Sequence, residues 1–243
     1  MAQIKKTIYF LSLIVCCFLL FFAAQKGLAS QAEVTLTWST DTYTPHGYKG
    51  KALPARGSIA EVVAVISTWE FDAQKLTYDW FLNDKLQKSK SGEGKQSFKF
   101  NIGERISQKR TIKVIIKNKK GDIIGRSSYL TLSPQEPEIV LKTKALLLDY
   151  SKSVPKYQIV SGKKTNFTAQ PFFFNIKNAD GLDYQWILGN KKALQTSGQN
   201  LNSFTIEIDK IAAPFKQNLT VRAENKNNPI QRTRLTAEIV FVP

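Results

Sequence analysis

The chain contains one histidine, His46, and this limits the chemistry it can perform. Enzymes that activate a nucleophile commonly use histidine as the base. The sequence has no His-x-x-x-His or Cys-x-x-Cys spacing, no Gly-x-Ser-x-Gly turn and no glycine-rich phosphate loop. A pair of carboxylates acting on a glycoside stays open from the residues alone. We therefore expect a protein that is not an enzyme and that uses no cofactor.

A calcium site is the next chemistry to consider. Asn178, Asp180 and Asp183 surround Gly181 and offer the oxygen ligands that Ca²⁺ prefers. The same residue types are also favoured in β-turns. Because few other carboxylates lie nearby, the turn is the preferred interpretation and we predict no metal site.

An aromatic and basic loop at residues 41–51 is the first candidate for binding. Aromatic side chains beside cations are typical of recognition surfaces. The residues that we predict to bind a partner there are Tyr43, His46, Tyr48, Lys49 and Lys51. Alternatively, the tyrosines cover a domain edge and fix the path between the first two strands, which a weaker echo at residues 149–157 favours.

A cluster of basic residues in the first half of the chain is the second candidate. We expect one outer face to carry Lys109, Arg110, Lys113, Lys117, Lys119 and Lys120. The proposed contacts are Lys113, Lys117, Lys119 and Lys120. With a net charge of +16, such a face could dock an anionic wall polymer, or it could simply be solvated. Nucleic acid is not expected, because base-stacking aromatic residues are not interleaved with these lysines.

Residues 1–32 have the order of a secretory signal. Basic residues come first, an apolar run from Ile8 to Ala24 follows, and small and polar residues end the segment. We expect cleavage after Ala32, with Ala29 as the other suitable position. The apolar run is at the short limit for crossing a bilayer, so an uncleaved membrane anchor is the alternative. Either way, we expect an exported protein at the cell surface or in the medium.

Both cysteines, Cys16 and Cys17, lie within this N-terminal segment. The exported part would then have no disulfide, no catalytic thiol and no cysteine-bound metal. We expect its stability to come from a buried apolar core. A lipid attached to either cysteine is disfavoured, because neither follows a small residue.

An internal repeat organises the rest of the chain. Tyr78 and Trp80 are matched by Tyr184 and Trp186 at an offset of 106 positions, 186 minus 80. The same offset continues through the next apolar segment, which indicates a duplicated domain.

The repeat predicts two domains at residues 33–133 and 138–243. Residues 134–137 form the joint, which has a proline at each end. Such a short joint predicts a stiff pair of domains rather than a flexible string.

Within each copy, apolar and polar residues alternate with the period of a half-buried strand. Val34, Leu36 and Trp38, for example, alternate with threonines. The last strand of the first copy is expected near residues 127–132. Short strands separated by turns predict an all-β fold of two tandem sandwiches.

The tyrosine and tryptophan of each repeat, followed by an Asn-x-x-Gly turn and a closing strand, resemble bacterial immunoglobulin-like and PKD-like domains. In that family the tryptophan is the central core residue. The resemblance therefore implies core positions for Trp80 and Trp186, with Tyr78 and Tyr184 beside them. The chain departs from the family pattern, because it has no cysteine pair and no glycine-aspartate turn after the tryptophan strand.

Residues 41–58 resemble the opening of exported two-domain proteins of small-genome uncultivated bacteria. This resemblance implies export and fold but no activity. The expected function is a surface or secreted binding and adhesion module, whose partner is another surface protein or an anionic wall polymer. The alternatives are a purely structural envelope or stalk component and an accessory part of a secretion or pilus machine. Membrane contact is expected only through residues 1–32.

Overall fold

The computed structural model describes residues 32–67, 70–149, 154–192 and 201–243. The N-terminal segment, with its predicted signal or anchor, lies outside these residues. In the described part of the chain, no helix has the length and apolar character needed to cross a membrane.

The first domain consists of short strands joined mainly by turns. Its strands are β1 (Ala32–Thr40), β2 (Ile59–Ile66), β3 (Thr77–Leu82), β4 (Lys85–Leu86), β5 (Gly92–Glu93), β6 (Ser97–Asn101), β7 (Arg110–Lys117), β8 (Ile123–Ser127) and β9 (Leu130–Leu132). Two short 3-10 turns, at Ala73–Lys75 and Lys88–Lys90, flank the pair β3 and β4.

Strand β1 links the two layers of this domain. It pairs antiparallel with β2 and parallel with β8. One layer is therefore β1-β2-β6, and the other is β4-β3-β7-β8, with β5 on β3 and β9 on β7. Buried side chains from both layers form one core cluster, which includes Val62, Trp80, Phe98 and Val114.

The predicted final strand of the first domain is interrupted. Instead of one strand over residues 127–132, β8 ends at Ser127 and β9 begins at Leu130. Both pair with β7, and a register shift lies where β8 meets Ile116 and Lys117. Tyr129 lies in the interruption, where it is 56% exposed and its hydroxyl donates to the carboxylate of Asp84 at 2.7 Å.

The second domain repeats this plan. Its strands are β10 (Glu138–Thr143), β11 (Leu146–Asp149), β12 (Lys156–Val160), β13 (Thr165–Phe172), β14 (Leu182–Leu188), β15 (Lys191–Lys192), β16 (Ser203–Ile206), β17 (Phe215–Asn225) and β18 (Asn228–Val242). The sheets are β10-β13-β16 and β11-β12-β18-β17-β14-β15. The chain is all-β and consists of two tandem immunoglobulin-like β-sandwiches.

Equivalent hydrogen bonds surround the two tryptophans. The indole of Trp80 donates to the carbonyl of Lys95 at 2.8 Å, and that of Trp186 donates to the carbonyl of Leu201 at 3.1 Å. Both indoles are fully buried. The acceptors are separated by the same 106 positions, 201 minus 95, so the repeat in the sequence is also a repeat of contacts.

The rings that pack on the tryptophans are equivalent as well. Trp80 stacks on Phe98 with centroids 5.5 Å apart, and Trp186 stacks on Phe204 at 5.4 Å. Such aromatic contacts are worth about 0.5–1.5 kcal/mol beyond the area they bury.

Tyr78 and Tyr184 also occupy equivalent places. Their hydroxyls donate to the carbonyls of Ala73 and Ala179, at 3.1 and 3.3 Å. Burial is the main cause that raises the pKa of Tyr78, and a nearby carboxylate adds to it. Burial likewise raises the pKa of Tyr184, well beyond its ordinary value, with smaller contributions from Tyr43 and a carboxylate.

These pKa shifts predict a loss of stability in alkali. A raised pKa means that the folded chain holds the phenol proton more tightly than the unfolded chain, so the stabilisation is complete below about pH 10 and declines as the pH rises further. Each tyrosine should contribute up to about 1.4 kcal/mol per pH unit there. In urea unfolding between pH 8 and 11, replacing Tyr78 and Tyr184 together by Phe should flatten the decline. A double variant that lost stability as steeply as the parent over this range would show that the two phenols do not cause the decline.

Candidate functional site

The predicted binding loop lies between the two domains. Residues 41–58, here called the junction loop, connect β1 to β2. The hydroxyl of Thr42 donates to the carbonyl of Leu53 at 2.7 Å, and the carboxylate of Asp41 accepts the N–H of Ile59 at 2.8 Å. These two bonds close the loop on its own domain and leave its far side to meet the second.

Tyr43 is bonded to the second domain through its backbone. Its N–H donates to the carbonyl of Phe174, and its carbonyl accepts the N–H of Phe173, both at 2.7 Å. This reciprocal pair resembles one rung of a β-ladder. Phe173 has a φ of +62°, a left-handed conformation that is costly for a bulky residue. The backbone is therefore strained at the point where the domains meet.

The ring of Tyr48 completes the contact from the side of the loop. It meets Phe172 edge-on at a centroid distance of 5.4 Å and Phe173 at 6.1 Å. Although Tyr48 is 40% exposed, its ring belongs to an aromatic cluster with the end of β13. In this structure Tyr48 therefore packs at the domain junction.

A buried amide forms a polar centre beneath these rings. Gln231 is fully buried, and its Nε2 donates to the carbonyl of Arg56 at 2.7 Å. Its Oε1 accepts the N–H of Asn175 and the side-chain amide of Asn225, both at 2.8 Å. Buried polar groups require such partners. One of the partners of Gln231 belongs to the other domain, so this network joins the two.

Gly57 permits the close approach of the domains. Its φ is +72°, and a Cβ at this position would lie 3.0 Å from Nδ2 of Asn228. Any larger residue would therefore meet both a strained backbone and a neighbour from the second domain.

The short joint between the domains is bonded to the same loop. The N–H of Gln135 donates to the carbonyl of Pro54 at 2.7 Å, and Glu136 forms an ion pair with Arg56. Residues 134–137, which we predicted to be stiff because of their prolines, therefore also have specific contacts with the junction loop.

Residues 149–157, predicted to be the counterpart of the junction loop in the second domain, have a different role. Tyr157 is buried in the core, where its ring meets Phe167 edge-on at 5.7 Å. Tyr150 lies outside the described residues. The two copies thus use their tyrosines differently. Tyr43 and Tyr48 contact the second domain, whereas the alternative from the sequence had them cover a domain edge and fix the path between β1 and β2.

Of the other predicted residues of the loop, one packs within its own domain and two are exposed to solvent. The ammonium of Lys51 lies 3.7 Å from the ring centroid of Trp38, a cation–π geometry within its own domain. His46 and Lys49 are exposed. Of the predicted binding residues in this loop, these two are most available to an outside partner.

Two of the four predicted contact lysines on the basic face are matched by carboxylates. Lys113 donates to Asp84 and to the hydroxyl of Tyr129, both at 2.8 Å, and Lys117 pairs with Asp79 at 2.7 Å. The hydrogen bond from Lys113, and then that from Tyr129, hold the pKa of the Asp84 carboxyl below its usual range. The face is therefore less positive than the sequence suggests.

The remaining basic residues of the predicted face lie in different places. Lys119 and Lys120 are exposed in the turn after β7, which Asn118 organises by accepting the N–H of Lys120 at 2.9 Å. Arg110 was expected on the same face, but its Nε donates to the carbonyl of Ile102 at 3.0 Å. Arg110 lies at the start of β7, where its guanidinium bonds to the loop that follows β6.

The residues considered for calcium form a turn. Ala179–Gly181 is a short 3-10 turn, and the ammonium of Lys226 donates to the carbonyl of Asp180 at 2.8 Å. The same ammonium lies 3.8 Å from the carboxylate of Asp183. Among the described residues, no cluster of three or more Asp, Glu, His or Cys side chains could hold a metal ion.

Sequence reasoning missed the second-domain half of the junction. Its main parts are the run Phe172, Phe173 and Phe174 and the amide of Gln231. A signal was present, because side chains alternate between the faces of a strand and three adjacent phenylalanines cannot all point into one core. At least one must cover another surface.

Comparisons with known proteins find structural similarity only at low sequence identity. No protein-family model matches the chain, and no curated protein matches it. A similar solved structure is that of the three N-terminal domains of the highly immunogenic outer capsid protein of bacteriophage RB49, with 14% identity and a TM-score of 0.44. That match covers 86% of this chain and 59% of the other, so this chain spans less than two thirds of the phage structure.

Two further solved structures are similar at a lower level. The fibronectin(III)-like modules of CbhA from Clostridium thermocellum match with 12% identity and a TM-score of 0.29, over 84% of this chain and 94% of theirs. Immunoglobulin domains 1–5 of Sidekick-1 match with 12% identity and a TM-score of 0.29, over 87% of this chain and 38% of theirs.

Proposed function

We propose that this chain is an exported, non-enzymatic binding or adhesion module, built as a rod of two β-sandwiches. The reciprocal backbone bonds between Tyr43 and the segment Phe173–Phe174 carry this proposal. They tie the domains together through main-chain groups, which cannot swing away as surface side chains do. A stiff pair of domains can hold a binding surface at a fixed distance and angle from its attachment point.

The sequence supports the cellular setting of the proposal. Residues 1–32 have the features of a secretory signal or anchor, and residues 41–58 resemble exported bacterial two-domain proteins. The chain would act at the cell surface or in the medium, with membrane contact only through its N-terminal segment. Its partner would be another surface protein or an anionic wall polymer.

A purely structural envelope or stalk component is the second candidate. The observation that favours it is the placement of Tyr43 and Tyr48, since the aromatic residues expected to bind a partner are engaged at the domain junction. A stalk needs the same rigidity but no ligand. The two candidates therefore differ in whether a saturable partner exists.

A binding experiment with the basic face separates these candidates. The full chain should bind vesicles containing phosphatidylglycerol, or a glycerol phosphate polymer, at low salt. That binding should weaken as salt rises, because exposed charges are screened over about 8 Å at physiological ionic strength. Changing Lys113, Lys117, Lys119 and Lys120 together to Gln should weaken it most. The loss should come chiefly from Lys119 and Lys120, which form no ion pair with any carboxylate among the described residues.

The matched control changes the same number of lysines in the second domain, at Lys177, Lys191, Lys192 and Lys226. Folding should survive both sets, because exposed side chains contribute little to stability. Equal weakening by the two sets would mean that net charge, and no docking face, causes the binding. No binding by the parent chain to either probe would favour the stalk over an anion-binding module.

A further inference from the structure

The second domain has two open sheet edges beside each other. In the described part of the chain, β10 pairs only with β13, and β11 pairs only with β12. The outer backbone groups of both strands are therefore free of strand partners. Natural proteins usually protect such edges, since an unpaired edge can accept a further strand.

Strand β11 is apolar as well as unpaired. Leu146, Leu147 and Leu148 are adjacent and are 60%, 45% and 42% exposed. A register shift between Leu147 and Asp149 makes the strand bulge there. Scattered surface leucines need no explanation, but three in a row on an edge strand form an apolar strip that has no cover within the described chain.

A groove of about 790 Å³ meets this strip at Leu146, the one leucine of the three that lines it. Its apolar lining comes from Leu146, Ile159 and Val160, and amines border it at Lys142, Lys144, Lys163 and Lys164. Lys164 pairs with Glu207 at 3.3 Å. The other three lysines have no ion pair with any described residue, so the border of the groove carries uncompensated positive charge.

We propose that β11 and this groove bind an extended acidic segment of a partner protein, which adds to the free edge of β11 as a new strand. Successive side chains of a strand point to opposite sides. The apolar side chains of the partner would cover the leucines, and its carboxylates would lie near Lys142, Lys144 and Lys163. Main-chain bonds provide the affinity in this mode of recognition, and the side chains provide the specificity.

Charge disfavours the simplest competing occupant. A second copy of this chain, paired edge to edge through β11, would bring two lysine borders together, and like charges would oppose that contact. The inference rests on the proposed function, because it supplies a partner class for the binding module. It concerns a different surface from the basic face of the first domain, so the two tests can fail separately.

The test uses the full chain and a synthetic peptide of alternating Glu and Val, about six residues long, the usual length of a strand. Isothermal titration should show binding, and hydrogen exchange should slow at the amides of β11. A peptide of alternating Lys and Val should not bind. A Glu-Val peptide with N-methyl groups on alternate amides keeps its charges but loses backbone donors, and it should bind at least about tenfold more weakly.

Lysine variants of the chain test the charge contacts at the border of the groove. Changing Lys142, Lys144 and Lys163 together to Gln should weaken peptide binding about tenfold, whereas the matched set Lys85, Lys88 and Lys90 in the first domain should change it less than about twofold. Equal binding of the N-methylated peptide, or unchanged exchange at β11, would overturn strand addition. Self-association of the parent chain that Leu146→Lys abolishes would assign the edge to a second copy instead and would also overturn the proposal.

Discussion

Replacing Trp186 with alanine is expected to remove most of the stability of the second domain. The indole is fully buried, stacks on Phe204 and donates to the carbonyl of Leu201. Truncating a buried tryptophan costs about 3–5 kcal/mol, and this change also removes the indole donor from that carbonyl. A domain is stable by only about 5–15 kcal/mol in total. Thermal unfolding should therefore shift downward by at least about 10 °C.

The equivalent change in the first domain, Trp80→Ala, should have an effect of similar size, because its contacts are the same. The control is Tyr129→Ala, which removes an exposed ring from the interruption between β8 and β9 and should cost less than about 1 kcal/mol. Calorimetry on the three variants makes the comparison. If either tryptophan variant melted together with the control, the assignment of both indoles to equivalent cores would be wrong.

The second large effect is expected at the domain junction. Gln231→Ala would leave the N–H of Asn175 without its buried acceptor and the carbonyl of Arg56 with only the longer bond from Nδ2 of Asn228, at 3.4 Å. Each unsatisfied buried group costs about 1–3 kcal/mol, so a loss of about 2–4 kcal/mol is expected. Because one of these bonds crosses between the domains, the angle between them should also become more variable. Small-angle X-ray scattering should show a broader distribution of distances.

The control for this change is Gln217→Ala on β17, since Gln217 is an exposed glutamine of the same domain. It should alter neither stability nor scattering. A Gln231→Ala protein that lost stability but kept the parent scattering profile would show that the amide supports only the second domain. In that event, the other junction contacts, chiefly the backbone bonds of Tyr43 and the ring of Tyr48, would hold the two domains together.

The fold could be predicted from the sequence because the patterns that indicate it are local and occur in both copies. Alternation of apolar residues marks each strand, and the paired Tyr78 and Tyr184 mark equivalent positions in two copies. In a small sandwich, a large aromatic residue in the middle of a strand is buried mainly in the core between the two sheets. The prediction failed only in detail, as in the final strand of the first domain, expected at residues 127–132, where Ser128 and Tyr129 separate β8 from β9.

The junction could not be predicted in the same way, because its partners are distant in sequence. Tyr43 meets Phe173, and Arg56 meets Gln231, without any local pattern that connects them. An aromatic loop looks the same in sequence whether it faces a ligand or another domain. For the same reason, the lysines of β7 appeared more available than they are, since Asp79 and Asp84 lie on a different strand and turn.

The parallel pairing of β12 with β18 determines how the second domain responds to pulling. The two strands are aligned over five registered pairs, from Lys156 with Glu238 to Val160 with Val242. A tension applied between the two ends of this domain would slide these strands past each other, so that the bonds of the ladder bear the load together rather than opening one by one. Resistance to force is a rate property, set by the barrier to unfolding. A domain with this geometry is suited to bearing tension between its two ends.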